Sequence, residues 1–211
     1  MRLYLIRHGE TDLNKSKILQ GRSDIELNDF GRKLAEETGK NLDVCFDVVY
    51  TSPLKRAKET AHILVRESSL KYPDKNLPQI IEDDRIQEIS FGDFEGLCYG
   101  ANFNIPDETF LNFFQAPDQY HTPPNGESLA DVIDRTGVFL NEILEDKQNA
   151  DKTILISTHG CALKAMLSYI RNTPMKEFWG EGVYKNCGIS IVEVENGQAI
   201  IIEDGKVYYE I

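Results

Sequence analysis

The stretch "LYLIRHGETDLN", residues 3–14, decides the fold: four residues suited to a buried strand run straight into Arg7 and His8, then into a glycine and polar residues. A strand that stops in a cation and a titratable imidazole delivers both to one edge of a sheet. Open α/β sheets bind their ligands in the crevice beyond the carboxyl ends of their strands. The question is whether other strands in the chain end in the same way.

They do. Residues 2–6 read as a strand, and "LNDFGRKLAEETGKNL" (27–42) as an amphipathic helix with Asn28 as N-cap and Leu27, Phe30, Leu34 and Leu42 near one face. "FDVVY" (46–50) predicts a second strand. "TSPLKRAKETAHILVRE" (51–67) then opens a helix, with Ser52 in the N-cap position and Pro53 at the first helical position. Arg56 falls in the first turn. "PQII" (78–81) predicts a short strand, and residues 127–147 a long helix by their i, i+3, i+4 apolar spacing. "KTILIS" (152–157) is an apolar strand that runs into His159, and "GCALKAMLSYI" (160–170) is helical. The C-terminal 187–211 reads as alternating strands around an Asn196-Gly197 hairpin turn. Strands alternating with helices predict a three-layer α/β/α sandwich with a mostly parallel central sheet and an antiparallel edge.

At 211 residues with 41% hydrophobic residues, the chain is sized for one domain spanning 1–211. No apolar run approaches 18 residues, and the N-terminus lacks the long apolar region of a signal peptide, so a cytoplasmic protein is expected. Cys45, Cys98, Cys161 and Cys187 are widely spaced, which fits reduced thiols better than disulfides or a structural zinc site. A net charge of -12 predicts no nucleic acid and no anionic membrane as partner. An anionic substrate would have to be drawn by a local basic pocket.

One segment differs from the rest. Residues 89–130 contain no Lys or Arg, yet eight Phe and Tyr residues and six acids fall within those 42 positions. A loop-rich insertion of that length is expected to serve as a cap over a site.

The strand ends suggest the chemistry. His8 and His159 each follow a strand, His159 immediately before a helix whose free N–H groups favour an anion. Arg7 and Arg56 would join them if the sheet brings those ends together. Two imidazoles and two guanidiniums in one small volume call for an anionic ligand, and the planar fork of arginine suits phosphoryl oxygens.

With these residues in view, "RHGE" (7–10) resembles the signature of the histidine phosphatase superfamily, which includes cofactor-dependent phosphoglycerate mutases and related phosphatases. Further matches follow in order: Asn14, Gln20-Gly21, "LNDFG" (27–31), "TSPLKRAKETA" (51–61), "EISFGDFEG" (88–96), "PPNGES" (123–128) and "STHG" (157–160). The resemblance implies a phosphoglycerate mutase-like fold and a metal-independent phosphatase without a cofactor, acting on small-molecule phosphate esters. It implies that His8 is the nucleophile that forms a phosphohistidine, and that Arg7, Asn14, Arg56 and His159 grip the phosphoryl oxygens. Glu88 would be the proton donor and later the base for water, with Gln20, Gly21 and Gly160 lining the pocket. A loose, metaphosphate-like transition state needs only an in-line nucleophile and fixed positive charge. Glu88 must hold a proton to act as acid, which predicts that the aromatic cap or the bound phosphate favours its protonated form, and hence an acid-side pH optimum.

Other readings are weaker. Glu127 in "NGES" is equally a helix N-terminal carboxylate and a site residue. Cys161 invites a cysteine-phosphatase reading, but the arginine such a loop needs six positions on is Leu167. Metal catalysis meets no His-x-x-x-His cluster and would set arginines against a cation. Two alternatives stand beside a phosphatase. One is a phosphoglycerate mutase, whose family members usually carry a lysine and paired arginines in a middle segment where 89–130 has none. The other is a catalytically silent phosphate-binding module, disfavoured because nucleophile, clamps and acid are all present. A phosphatase acting on an ester with a neutral, ring-containing leaving group is expected. The edge of the C-terminal hairpin is compatible with a homodimer.

Overall fold

The computed structural model describes every residue except 196. In chain order its elements are β1 (Arg2–Arg7), α1 (Asp12–Lys15), α2 (Asp29–Asn41), β2 (Val48–Thr51), α3 (Lys55–Ser69), β3 (Gln79–Glu82), α4 (Asn112–Gln115), α5 (Leu129–Glu145), β4 (Thr153–Thr158), α6 (Gly160–Arg171), β5 (Ile189–Glu195) and β6 (Gln198–Lys206). The strands form one sheet in the order β3-β2-β4-β1-β5-β6. The first four are mutually parallel, and β5 and β6 add an antiparallel edge.

Period-two alternation along the strands divides the core between the two faces. Tyr4, Ile6, Val49 and Leu155 pack with Leu34 of α2 and Ala61 and Leu64 of α3. Leu3, Leu5, Ile154 and Ile156 pack on the other side with Phe139 and Leu140 of α5 and Leu163, Met166 and Leu167 of α6. This is the expected α/β/α sandwich. Each such aliphatic side chain contributes about 1.5–3 kcal/mol by leaving water.

The helix starts follow local chemistry. The Asn28 side chain accepts from Gly31 N at 2.7 Å. Ser128 forms a capping box with Asp131, so α5 begins two residues after the predicted start. The α2 helix also lies against the turn after β1. A Cβ on Gly31 would fall 2.1 Å from the Glu10 carbonyl oxygen, so only glycine allows this approach.

Several expectations need correction. Ser52 and Pro53 do not open α3. The helix starts at Lys55 with Leu54 as an uncapped N-cap; the Ser52 oxygen accepts from Leu54 N at 3.3 Å, ahead of the helix, and its hydroxyl lies beside His159. Arg56 nevertheless lies in the first turn. Phe30 is exposed, and the buried stripe of α2 is Gly31, Leu34, Ala35 and Thr38. Of the expected hairpin turn, Gly197 has the positive φ of 78° that suits glycine, while Asn196 lies outside the described residues.

Residues 89–130 fold into 3-10 turns and the short α4 around an aromatic cluster of their own. Phe91, Phe94, Phe110 and Phe113 pack with Phe178 and Trp179 and against Cys161, Ala162 and Ala165 of α6. Phe113 meets the Trp179 ring edge to face at 5.0 Å, a favoured aromatic geometry. Among the described residues, no helix is long and apolar enough to cross a membrane.

Candidate active site

Strand register assembles the site. Arg7 of β1 pairs with Thr158 of β4, so the next residues, His8 and His159, emerge side by side. Their ring centroids lie 5.2 Å apart. Thr51 of β2 pairs with Ser157, which brings Ser52 beside the same edge. The Ser52 hydroxyl lies 2.7 Å from His159 Nε2.

The turn after β1 fixes the His8 ring. Its Nδ1 is 2.6 Å from the Gly9 carbonyl oxygen, an atom that only accepts, so Nδ1 carries the proton and Nε2 keeps its lone pair. The Gly9 amide donates to Thr60 Oγ1 at 3.0 Å, and Asn186 Nδ2 donates to the His8 carbonyl at 3.0 Å. The imidazole is almost wholly buried. Burial first, then the charges of Arg56 and Arg7, hold its pKa well below the usual histidine value. His159 is lowered in the same direction by burial, Arg56 and His8. Both rings are therefore neutral near pH 7.

The arginines arrive differently. Arg56 is fully buried and donates to the carbonyls of Ser23 and Gly21, each at 2.7 Å. Its fork thus holds the turn that carries Gly21, a partner the sequence did not suggest. Burial pushes its pKa down to about 10, which leaves it charged. Arg7 donates to the Tyr184 carbonyl. Arg7 Nε, Arg56 Nε and His159 Nδ1 are three of only four buried side-chain N or O atoms without a hydrogen-bond partner among the described residues. Leaving such groups unsatisfied costs about 1–3 kcal/mol each, and all three belong to residues gathered at this end of the sheet.

Asn14 and Gln20 line the same crevice. Asn14 Oδ1 accepts from Thr11 N at 3.2 Å within the α1 capping box, and Gln20 Oε1 accepts from Thr11 Oγ1 at 2.9 Å. Thr11 thereby turns both NH2 ends away from itself.

Glu88 lines the crevice with the aromatic residues and rests on the N-terminus of α6. Its carboxylate accepts from Cys161 N at 3.1 Å, Ala162 N at 3.1 Å and Ile89 N at 3.0 Å. Behind it, Arg135 of α5 donates to the carbonyls of Arg85, Gln87 and Glu88 and forms an ion pair with Glu127 at 3.0 Å. Glu127 also accepts from Ser90 N at 2.9 Å and so belongs to this scaffold, outside the crevice lining.

Around these groups lies a crevice with about 510 Å³ of empty space, counted out to its mouth. Eight of the nine site residues expected from the sequence line it: Arg7, His8, Asn14, Gln20, Gly21, Arg56, Glu88 and Gly160. His159 sits just behind His8. The sequence reading missed Ile18, Leu19, Trp179 and Val183 in the lining, together with the supporting Arg135, while Phe91, Tyr99, Phe113 and Phe114 come from the aromatic 89–130 segment. Cys161 also lines the crevice, but burial raises its thiol well above the ordinary value, which makes it a poor nucleophile. Among the described residues, no group of three or more His, Cys, Asp or Glu side chains could hold a metal ion.

Comparison with known proteins places this geometry in a family. The histidine phosphatase superfamily (branch 1) matches residues 3–203. The chain belongs to that superfamily. It is 30% identical over 205 residues to "Putative phosphoserine phosphatase 2" of Hydrogenobacter thermophilus, covering 95% of this chain and 93% of the relative. Among solved structures, Bacillus stearothermophilus YhfR superposes with a TM-score of 0.85 at 33% identity, covering 98% of this chain and 97% of its own. A histidine-to-alanine mutant of phosphoserine phosphatase from Entamoeba histolytica, solved with phosphoserine, superposes at 0.79 with 27% identity, covering 97% and 96%.

Proposed function

We propose that the protein hydrolyses small phosphate monoesters through a phosphohistidine at His8. The observation that carries this reading is a neutral imidazole with a free Nε2, set among donors that lack partners. Nε2 attacks phosphorus as the ester P–O bond breaks, and Glu88 gives its proton to the departing alcohol oxygen. The Glu88 carboxylate then takes a proton from water. The water oxygen attacks phosphorus, the P–N bond breaks, and inorganic phosphate leaves. Arg7, Arg56 and His159, with the amides of Asn14 and Gln20, hold the phosphoryl oxygens and supply the fixed charge a loose transition state needs. Ser52 can donate to His159 Nε2, which leaves the His159 proton on Nδ1, the nitrogen without a partner. In this scheme the arginines do the electrostatic work and no metal is required.

Relatives named as phosphoserine phosphatases support hydrolysis over mutase chemistry. So does the lack of Lys and Arg in 89–130, the segment we assign as the cap of a single domain. Four free thiols suit a reducing, cytoplasmic setting, and the open edge of β6 leaves room for a homodimer. The test is release of phosphate from p-nitrophenyl phosphate. Wild type is expected to turn over, and His8→Ala, folded by circular dichroism, to lose about 10³-fold or more. Comparable rates in the two would reject the nucleophile.

A further inference from the structure

Apart from the groups assigned to phosphoryl transfer, the crevice lining is largely apolar and aromatic. Leu19, Phe91, Tyr99, Phe114, Trp179 and Val183 line the same crevice as the proposed phosphoryl-binding groups. The only Arg, Lys, Asp or Glu residues in the lining are Arg7, Arg56 and Glu88, all used by the transfer itself. All three amides fall on Glu88 Oε1, and Oε2, with only the Cys161 amide at 3.2 Å, is the oxygen left to serve the leaving group. An ammonium or carboxylate on the alcohol part of a substrate would therefore enter an apolar pocket without a counter-charge, which is costly.

The rim adds a second obstacle. Backbone amides beside Gly21 could have received a substrate carboxylate, but the Glu95 side chain takes them. It accepts from Arg22 N at 3.0 Å, Phe91 N at 3.2 Å and Ser23 Oγ at 3.0 Å. Its carboxylate also lies against Gly21, where an added Cβ would meet Glu95 Oε1 at 2.1 Å. Donors are consumed and a negative charge stands in their place.

We infer that the site selects monoesters of uncharged, apolar alcohols, ring-bearing ones above all, and discriminates against phosphoserine and phosphoglycerate. Tyr99, Phe114 and Trp179 are the specificity-determining surfaces, since aromatic faces accept a flat apolar group over a large area. This assignment rests on the hydrolysis proposed above and narrows its substrate class.

The experiment compares primary alkyl phosphates, whose leaving oxygens are chemically alike, so that binding rather than leaving-group ability decides the order. kcat/KM is measured for ethyl, propyl and 3-phenylpropyl phosphate and for O-phospho-L-serine, with p-nitrophenyl phosphate as a control. It is expected to rise about tenfold or more from ethyl to 3-phenylpropyl, and to fall about tenfold or more from propyl phosphate to phosphoserine. Phosphoserine at or above propyl phosphate, with all esters hydrolysed, overturns the specificity and leaves the hydrolysis intact. Failure to hydrolyse any ester, the control included, overturns both. Tyr99→Ser and Phe114→Ser should each shrink the 3-phenylpropyl to ethyl ratio by about threefold or more. An unchanged ratio in both variants overturns the assignment of these rings.

Discussion

The Glu88 carboxylate sits on the first turn of α6, one oxygen 3.1 Å from the amide nitrogen of Cys161. The same helix follows His159, so a single element orders both the proposed proton donor and one of the phosphoryl clamps. The amides fix the carboxylate in the crevice lining.

Replacing Glu88 by Gln keeps the side chain's shape and removes its acid. The loss in kcat/KM should be about 10²–10⁴-fold for an alkyl phosphate, whose alcohol must be protonated as it leaves. It should be much smaller for p-nitrophenyl phosphate, whose phenolate leaves unaided. Steady-state kinetics on both esters check this. Equal losses would remove Glu88 from the role of acid.

Arg135 holds the Glu88 segment without reaching the crevice. Its guanidinium binds three backbone carbonyls and Glu127, and both members of the pair are largely shielded from water. Arg135→Met leaves those carbonyls short of donors while Arg22 still pairs with Glu127 at 2.8 Å, so urea unfolding should show a loss of about 1–3 kcal/mol. Because the residue acts through Glu88, the surviving activity should fall more on alkyl phosphates than on p-nitrophenyl phosphate. A uniform fall on both would make Arg135 purely structural.

The two buried histidines make stability depend on pH. Both have folded pKa values lowered below the ordinary 6.5, so the native state resists the protons that the unfolded chain takes up. Their contribution is complete above about pH 6.5 and is lost as pH falls below it toward the lowered native values. Denaturation in phosphate-free buffer from pH 8 to pH 5 should show this decline, with a shallower slope in His8→Asn. Identical slopes, or a His8 ring that titrates above 6.5 by NMR, would contradict the assignment.

Much of the site was legible because strand endings and register are local. A buried run that stops at Arg7-His8 and another that stops before His159 needed only parallel pairing to meet, and the Arg7–Thr158 register provides it. Asn28 as a cap and Arg56 in a first turn were also readable from neighbours in sequence. Ser52 misled, because its oxygen accepts from Leu54 N before the helix begins, and a cap signature cannot reveal that the same hydroxyl also meets a histidine 107 positions away. Trp179 and Val183 come from an irregular stretch with no periodicity, so nothing local marked them as lining. Arg135 looked like an ordinary helix residue. Its role depends on carbonyls of a loop about 50 positions earlier, a tertiary fact without a sequence signature.

The most direct measurement is rapid quenching of the enzyme during turnover of a ³²P-labelled monoester, followed by peptide mapping. Label that is stable to base, labile to acid and confined to His8, appearing and decaying fast enough to account for turnover, is the predicted result. Full turnover with no labelled protein at any time, or with the label on another residue, would contradict the account.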